Sequence, residues 1–163
     1  MEYVRELLRV LEALDRHHVD YVLVGGAALN VHGLVRATQD VDLFVEPAAD
    51  NIDRLRQALR SIWQDPHIDE ISADDLCGDY PAVRYGPPVG SVFLDILTRL
   101  GEAFRYEDLE FEVVVIEGTP VRVATPRTLY RMKKDTVRPI DRADAQALCD
   151  AFDLEEEGEP RGR

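Results

Sequence analysis

The chain has 163 residues, of which 45% are hydrophobic and 31% charged, as is typical of one globular domain. It has no apolar run near the ~20 residues of a membrane span. Its net charge of −13 argues against a protein that coats nucleic acid with a broad basic face. Acidic residues begin at position 2, unlike in a signal peptide. We therefore predict a cytoplasmic protein without membrane contact, with one domain (1–153) and a disordered acidic tail (154–163).

The predicted elements of the first half alternate between helix and strand, by apolar periodicity and by glycine and proline punctuation. The expected N-cap of the second long helix is Asp50. In chain order, the elements are an amphipathic helix (2–16), a strand (21–24), a short helix (27–32), a strand (41–45) and a helix (50–63).

The second half is dominated by strands that are joined by short turns rich in glycine and proline, at 86–90 and 117–120, which favour hairpins. The sum is an α/β (or α+β) fold, a mixed and mostly antiparallel sheet with flanking helices. The elements are a loop (65–79) with one helical turn (72–76), strands 82–85, 91–98, 112–116 and 121–123, and helices 126–135 and 141–152.

Two acidic residues lie at the start of the apolar strand 41–45, one within the strand and one just before it. Because side chains alternate along a strand, Asp40 and Asp42 point to one face while Val41 and Leu43 point to the core. Two carboxylates on one face repel each other unless a positive charge lies between them. Surface acids at a sheet edge are the simpler interpretation of this short pattern.

A third acidic residue, Asp95, lies among apolar residues in the strand 91–98. If this strand lies beside 41–45, Asp95 joins Asp40 and Asp42. Three carboxylates on a rigid sheet form a site for a hard cation, Mg²⁺ or Mn²⁺. Two such ions would stabilise the attacking and leaving oxygens of a phosphoryl displacement.

The glycine pair Gly25-Gly26 follows a strand and precedes a helix. Glycine permits close backbone approach, and N–H groups at such a turn can hold phosphate. The sequence contains neither the P-loop pattern nor the dinucleotide-binding glycine pattern.

These motifs, in the order Val24-Gly25-Gly26, Asp40-Val41-Asp42 and Asp95, resemble the polymerase-β-like nucleotidyltransferase superfamily. The segment 36–42, Arg-Ala-Thr-Gln-Asp-Val-Asp, is similar to the Arg-x-Thr-x-Asp-x-Asp form of AbiEii/AbiGii-type toxin-like nucleotidyltransferases. Segments 132–135 and 138–144 resemble that group's later motifs, a lysine on one helix and an aspartate that opens the next. Gly26 departs from the serine of many members, which removes a hydroxyl that could touch phosphate.

The resemblance implies the nucleotidyltransferase fold and a role for each matching residue. Gly25 and Gly26 would hold the triphosphate, and Asp40 and Asp42 would bind the metal ions. Asp95 would complete the metal site and could act as the base on an acceptor hydroxyl, although some relatives lack a functional third acid.

The resemblance also assigns a phosphate contact to a lysine, which Asp141 would orient. Of the 19 lysine and arginine residues only Lys133 and Lys134 are lysines, which favours a need for a compact ammonium there, with chance as the alternative. The choice between the two lysines stays open. Arg36 could contact phosphate or pair with a neighbouring acid. Lys133 and Lys134 belong to a basic segment, 122–142, whose seven bases and two acids suit a compact anionic ligand or a solvated helix face.

The function that the resemblance implies is transfer of a nucleoside monophosphate from an NTP to a hydroxyl of an RNA 3′ end or a protein side chain, with Mg²⁺ or Mn²⁺ as cofactor. The setting could be a toxin–antitoxin or phage-defence system with a cognate partner. Alternatives are a small-molecule (antibiotic) nucleotidyltransferase and an antitoxin-like binding module with little turnover. The short chain leaves acceptor recognition to a dimer or another protein.

Overall fold

The computed structural model describes residues 2–90, 92–134, 136 and 138–154. Apart from Leu154, the predicted tail lies outside the described residues. In this part of the chain no helix is long and apolar enough to cross a membrane. The helices are α1 (Glu2–Arg16), α2 (Gly25–Val31), α3 (Ala49–Arg60), α4 (Ala73–Leu76), α5 (Pro126–Lys133) and α6 (Pro139–Phe152).

Eight strands form two sheets, and two 3₁₀ turns, Pro66–Glu70 and Tyr106–Asp108, lie between them in sequence. The strands are β1 (Tyr21–Val24), β2 (Asp40–Val45), β3 (Ala82–Tyr85), β4 (Phe93–Leu97), β5 (Arg99–Leu100), β6 (Phe104–Arg105), β7 (Phe111–Ile116) and β8 (Thr119–Ala124).

The main sheet has six strands in the order β3-β4-β2-β1-β8-β7. The β2–β4 and β1–β8 pairs are parallel, and the other three pairs are antiparallel. This confirms the predicted mixed, mostly antiparallel sheet with flanking helices. The strand pairs that flank the turns at 86–90 and 117–120 are the predicted hairpins.

The first helix covers one face of this sheet because its apolar residues recur at helical spacing. Val10, Leu11 and Leu14 are fully buried, and α1 packs against α3 and β8. Burying each of these side chains is worth about 1.5–3 kcal/mol, so the stripe anchors the N-terminus to the central strands.

A buried amide fixes the ends of the two central strands. The Asn51 side chain on α3 accepts a hydrogen bond from the backbone N–H of Asp20 (2.8 Å) and donates to the carbonyls of Asp20 (2.9 Å) and Glu46 (3.0 Å). Asp20 precedes β1 and Glu46 follows β2, so Asn51 joins the start of β1 to the end of β2, at the end of this antiparallel pair that is opposite Asp42. An unpaired amide here would be costly, so every polar atom of Asn51 is used.

Several local predictions differ from the structure. Asp50 is not the N-cap of α3, because the helix begins at Ala49 and Asp50 pairs within the first turn with Arg54 (3.1 Å). The short helix begins two residues earlier than predicted, at Gly25, and α6 begins at Pro139 rather than Asp141. The β5–β6 hairpin was not predicted because strands of two residues carry no periodic signal.

Candidate active site

Aspartates from two neighbouring strands meet on the main sheet. In the parallel β2–β4 pair, Asp42 is directly opposite Asp95 and Asp40 is opposite Phe93. Directly paired residues of a ladder project to the same face, so the carboxyl groups of Asp42 and Asp95 lie side by side. The strand of Asp95 therefore lies beside β2, the arrangement on which the sequence prediction depended.

The turn after β1 closes over Asp42. Val24 is paired with Asp42 in the ladder, and Gly25 then adopts a φ of +69° that starts α2. A β-carbon at Gly25 would lie 1.9 Å from Oδ2 of Asp42. Only glycine fits at this position, both because of its backbone conformation and because of the carboxylate above it.

The environment of Asp42 disfavours its charge. Burial, then the negative charge of Asp95 and a hydrogen bond between the two carboxyl groups, raise the pKa of Asp42 to about 7. Asp40 raises this pKa further, whereas the positive charge of Lys133 lowers it. Two half-buried acids therefore lie side by side, and the charge of Asp95 disfavours that of Asp42.

The carboxylates of Asp40 and Asp95 form ion pairs with an arginine that sequence reasoning missed. Arg84 of β3 lies opposite Asp95 in the next ladder. Its guanidinium donates to Oδ1 of Asp40 (3.1 Å) and lies 3.7 Å from Oδ1 of Asp95. It also packs over the ring of Phe93, 4.6 Å from the ring centroid. No sequence signal marks Arg84, because its position depends on the long-range pairing of β3 with β4.

Within the described residues, no three His, Cys, Asp or Glu side chains converge as in a preformed metal centre. The donor chemistry nevertheless fits a hard divalent cation. Asp42 and Asp95 offer adjacent carboxylate oxygens whose mutual repulsion a cation would relieve. Asp40 can add a third carboxylate only if its ion pair with Arg84 opens.

A second cluster joins α5 to α6. Lys133 Nζ donates to Oδ1 of Asp141 (3.2 Å) and Oδ2 of Asp144 (3.0 Å), and the lysine side chain is only 14% exposed. Thr136 also donates to Asp141 (3.0 Å). Burial of Asp141 acts in the opposite direction, but the hydrogen bonds from Lys133 and Thr136 hold its pKa below the usual value. Sequence reasoning missed Asp144, although its spacing of three from Asp141 places both on one helix face.

The other two candidate cations differ in how they relate to this cluster. Arg36 forms an ion pair with Asp144 (3.1 Å), and its backbone N–H donates to the side chain of Asn30 on α2 (3.0 Å). This arrangement agrees with the alternative that Arg36 pairs with a neighbouring acid. Lys134 lies 5.9 Å from the ring centroid of Tyr130.

Two hydroxyl groups not considered in the sequence analysis support the start of β2. Tyr3 donates to the backbone carbonyl of Asp40 (2.9 Å), and Thr38 exchanges hydrogen bonds with the backbone of Asp40 (3.2 and 3.3 Å). Burial raises the pKa of Tyr3 to about 12. A β-carbon at Gly26 would lie 3.0 Å from the β-carbon of Thr38. A serine at position 26 would thus require Thr38 to move, which gives a local reason for glycine there.

Solved structures with the same fold are nucleotidyltransferases. ANT(2'')-Ia in complex with adenylyl-2''-tobramycin has a TM-score of 0.59 at 16% identity, over 94% of this chain and 91% of that chain. A candidate nucleotidyltransferase from Thermotoga maritima has a TM-score of 0.56 at 12% identity, over 94% of both chains. A further candidate from Helicobacter pylori has a TM-score of 0.53 at 21% identity, over 92% of this chain and 68% of that chain. These similarities establish the polymerase-β-like nucleotidyltransferase fold.

The protein thus has the nucleotidyltransferase fold, with a carboxylate pair next to a glycine turn. Residues 7–158 match the family described as nucleotidyl transferase AbiEii toxin, of type IV toxin–antitoxin systems, and the chain belongs to this family. A comparison with curated protein sequences gave no significant match. The resemblance inferred from the glycine and aspartate motifs is confirmed.

Proposed function

We propose that this protein transfers a nucleoside monophosphate from an NTP to a hydroxyl acceptor in a reaction that depends on a divalent cation. The observation that carries the proposal is the pairing of Asp42 with Asp95 beneath Gly25. This constellation offers anionic ligands for a cation next to a backbone turn that can approach phosphate. Asp42 and Asp95 repel each other, and the fold gives no other reason for placing them side by side.

Each predicted site residue has a place in this proposal. Asp42 and Asp95 would hold Mg²⁺ or Mn²⁺, and Asp40 would join them. The bound cation would neutralise the carboxylates and withdraw charge from the phosphoryl group under attack. The N–H groups at Gly25 and Gly26 would bind the triphosphate.

Lys133 is the proposed phosphate-binding lysine. Its positive charge lowers the pKa of Asp42, which supports a position for Lys133 near the carboxylate pair. Asp141 and Asp144 hold its ammonium from two sides and so fix its direction. We infer that Lys133 stabilises charge on the transferred group and that Asp141 and Asp144 are positioning residues. Lys134 would then have no direct contact with the transferred phosphate.

The chemistry needs one proton acceptor. The acceptor hydroxyl oxygen would attack the α-phosphorus while the bond from this phosphorus to the bridging oxygen breaks and pyrophosphate leaves. The hydroxyl proton would pass to a carboxylate within reach, for which Asp95 is the candidate.

For the acceptor, we propose an RNA 3′ end, with a protein hydroxyl as the alternative outcome of the test. The support is a group of basic side chains near Lys133 at the start of α6, whereas the rest of the chain is acidic. Arg138 and Arg142 are exposed there, as expected for contacts to a phosphate backbone. Membership of the AbiEii family adds support for a toxin role with a cognate antitoxin.

A second candidate acceptor is a cationic small molecule. The net charge of −13 would attract it, and the structurally similar ANT(2'')-Ia is seen with adenylyl-2''-tobramycin. The exposed arginines around α6 would instead repel an aminoglycoside, which is why we place this acceptor second.

The test uses purified protein, each α-labelled NTP in turn and Mg²⁺, with total RNA, a protein extract or tobramycin as acceptor. We expect label in RNA that is sensitive to ribonuclease and is lost with a chelator or in Asp42→Asn. The matched control is Asp79→Asn, the same chemical change at an exposed aspartate, which should retain full transfer.

Label released by protease would replace RNA with protein as the acceptor, and label on tobramycin would favour the second candidate. Equal transfer by Asp42→Asn and Asp79→Asn would refute the proposed site. Full transfer in the presence of a chelator would refute the dependence on a divalent cation.

A further inference from the structure

Arg84 lies between carboxylates that suit a metal ion. We propose that Arg84 is a built-in counter-ion of this site, which must release Asp40 and Asp95 before a divalent cation can bind all three aspartates. This inference rests on the proposed metal-dependent function and deepens it. It assigns to Arg84 the control of the metal concentration at which the site fills.

The first argument is geometric. The two nitrogens of one guanidinium contact two different carboxylates, Nη2 with Asp40 at 3.1 Å and Nη1 with Asp95 at 3.7 Å. A guanidinium can bridge in this way because its donors form a planar fork. The bridge draws the Asp40 carboxylate into an ion pair, consistent with the absence of a convergent donor triad among the described residues.

The second argument is electrostatic. Asp40 and Asp95 would carry two negative charges on the same face as Asp42, and Asp95 lies directly opposite Asp42 in the strand pair. Arg84 supplies the positive charge on one side of this group. Because a divalent cation on the same oxygens would place two cations in close contact, metal binding and the Arg84 bridge exclude each other.

The third argument concerns release. Arg84 lies on β3, which is an edge strand of the main sheet, and its side chain is 55% exposed. A half-exposed ion pair is worth little, so a cation can displace it at moderate cost. Phe93, over which the guanidinium stacks, is itself partly exposed and leaves the outer side of Arg84 open.

The test compares Arg84→Gln with the control Arg99→Gln. Arg99 is an exposed residue of the β5–β6 hairpin, and its side chain forms no ion pair with another of the described residues. Both variants change the net charge equally. Mn²⁺ binding without nucleotide is measured by electron paramagnetic resonance or calorimetry. We expect Arg84→Gln to lower the dissociation constant for Mn²⁺ about three- to tenfold, and Arg99→Gln to change it less than about twofold.

A second readout needs no metal. With a chelator present, Arg84→Gln should unfold at a lower temperature than Arg99→Gln, because Asp40 and Asp95 lose their counter-charge. Added Mn²⁺ should then raise the unfolding temperature more in Arg84→Gln than in the unsubstituted protein. If Arg84→Gln does not fold, Arg84→Lys keeps the charge but bonds one carboxylate at a time and should give an intermediate Mn²⁺ affinity.

The possible failures are distinguishable. Equal Mn²⁺ affinities of Arg84→Gln and Arg99→Gln, with binding still lost in Asp42→Asn, would overturn the role of Arg84 and leave the metal site intact. No Mn²⁺ binding by the unsubstituted protein or by Arg84→Gln would overturn the metal-dependent function and this inference together.

Discussion

Replacement of a proposed metal ligand should make the metal-free protein more stable. Folding raises the pKa of Asp42 from 3.8 to about 7, so folding favours its protonated form. The contribution of protonated Asp42 to the free energy of unfolding is fully present below about pH 4, and it is lost as the pH rises through about 7. Asp42→Asn keeps the shape and removes the charge at every pH. It should therefore stabilise the protein at about pH 8 and have little effect at about pH 4.

The magnitude follows from the pKa interval. A change from 3.8 to about 7 corresponds to about 4 kcal/mol, since each pKa unit is about 1.4 kcal/mol. Solvent and buffer cations that reach the half-buried carboxyl reduce this value. We expect Asp42→Asn to increase the free energy of unfolding by about 1–3 kcal/mol at pH 8 in the presence of a chelator.

The assay is urea unfolding followed by circular dichroism at both pH values, with Asp79→Asn as the exposed control. Adding Mg²⁺ at pH 8 should stabilise the unsubstituted protein and leave Asp42→Asn unchanged, so that the difference narrows. An Asp42→Asn variant that is no more stable than the unsubstituted protein at pH 8 would refute the reasoning about repulsion between Asp42 and Asp95.

Three further experiments test the surroundings of the site. Gly25→Ala should lower the free energy of unfolding by about 2–4 kcal/mol and Gly33→Ala by about 1 kcal/mol, because both glycines have positive φ but a β-carbon at Gly33 meets nothing within 4 Å. Equal values in denaturant unfolding would contradict the close approach at Gly25. Lys133→Met should abolish nucleotide transfer and lower the free energy of unfolding by about 2 kcal/mol, because Asp141 and Asp144 lose their counter-ion. Lys134→Met should keep most of the transfer activity. If a labelled-NTP assay instead shows that Lys134→Met is inactive and Lys133→Met is active, Lys134 is the site lysine. Asn51→Ala should cost about 2–4 kcal/mol in thermal unfolding yet transfer nucleotide normally at low temperature, and a selective loss of transfer would show that it has a direct role.

Much of the fold followed from local patterns. The apolar stripe of α1 and the strand pattern of β2 depend only on helix and strand geometry, so their positions were predictable within a residue or two. Local predictions failed where tertiary contacts decide an element's end. α2 begins at Gly25 because the turn closes on the Asp42 carboxylate, and α3 begins without a capping side chain.

The sequence alone determined that Asp40 and Asp42 share a face, because alternation along one strand is a property of the backbone. It also placed the two lysines, Lys133 and Lys134, one short connection before Asp141, but only the structure pairs Lys133 with Asp141. Only the tertiary structure decided that Asp95 is opposite Asp42 and that Arg84 reaches Asp40, since both depend on which distant strands pair and in which register. Strand pairing is fixed by the burial of the whole sheet and not by any one segment, and for this reason the charge balance of the site could not be deduced from its motifs.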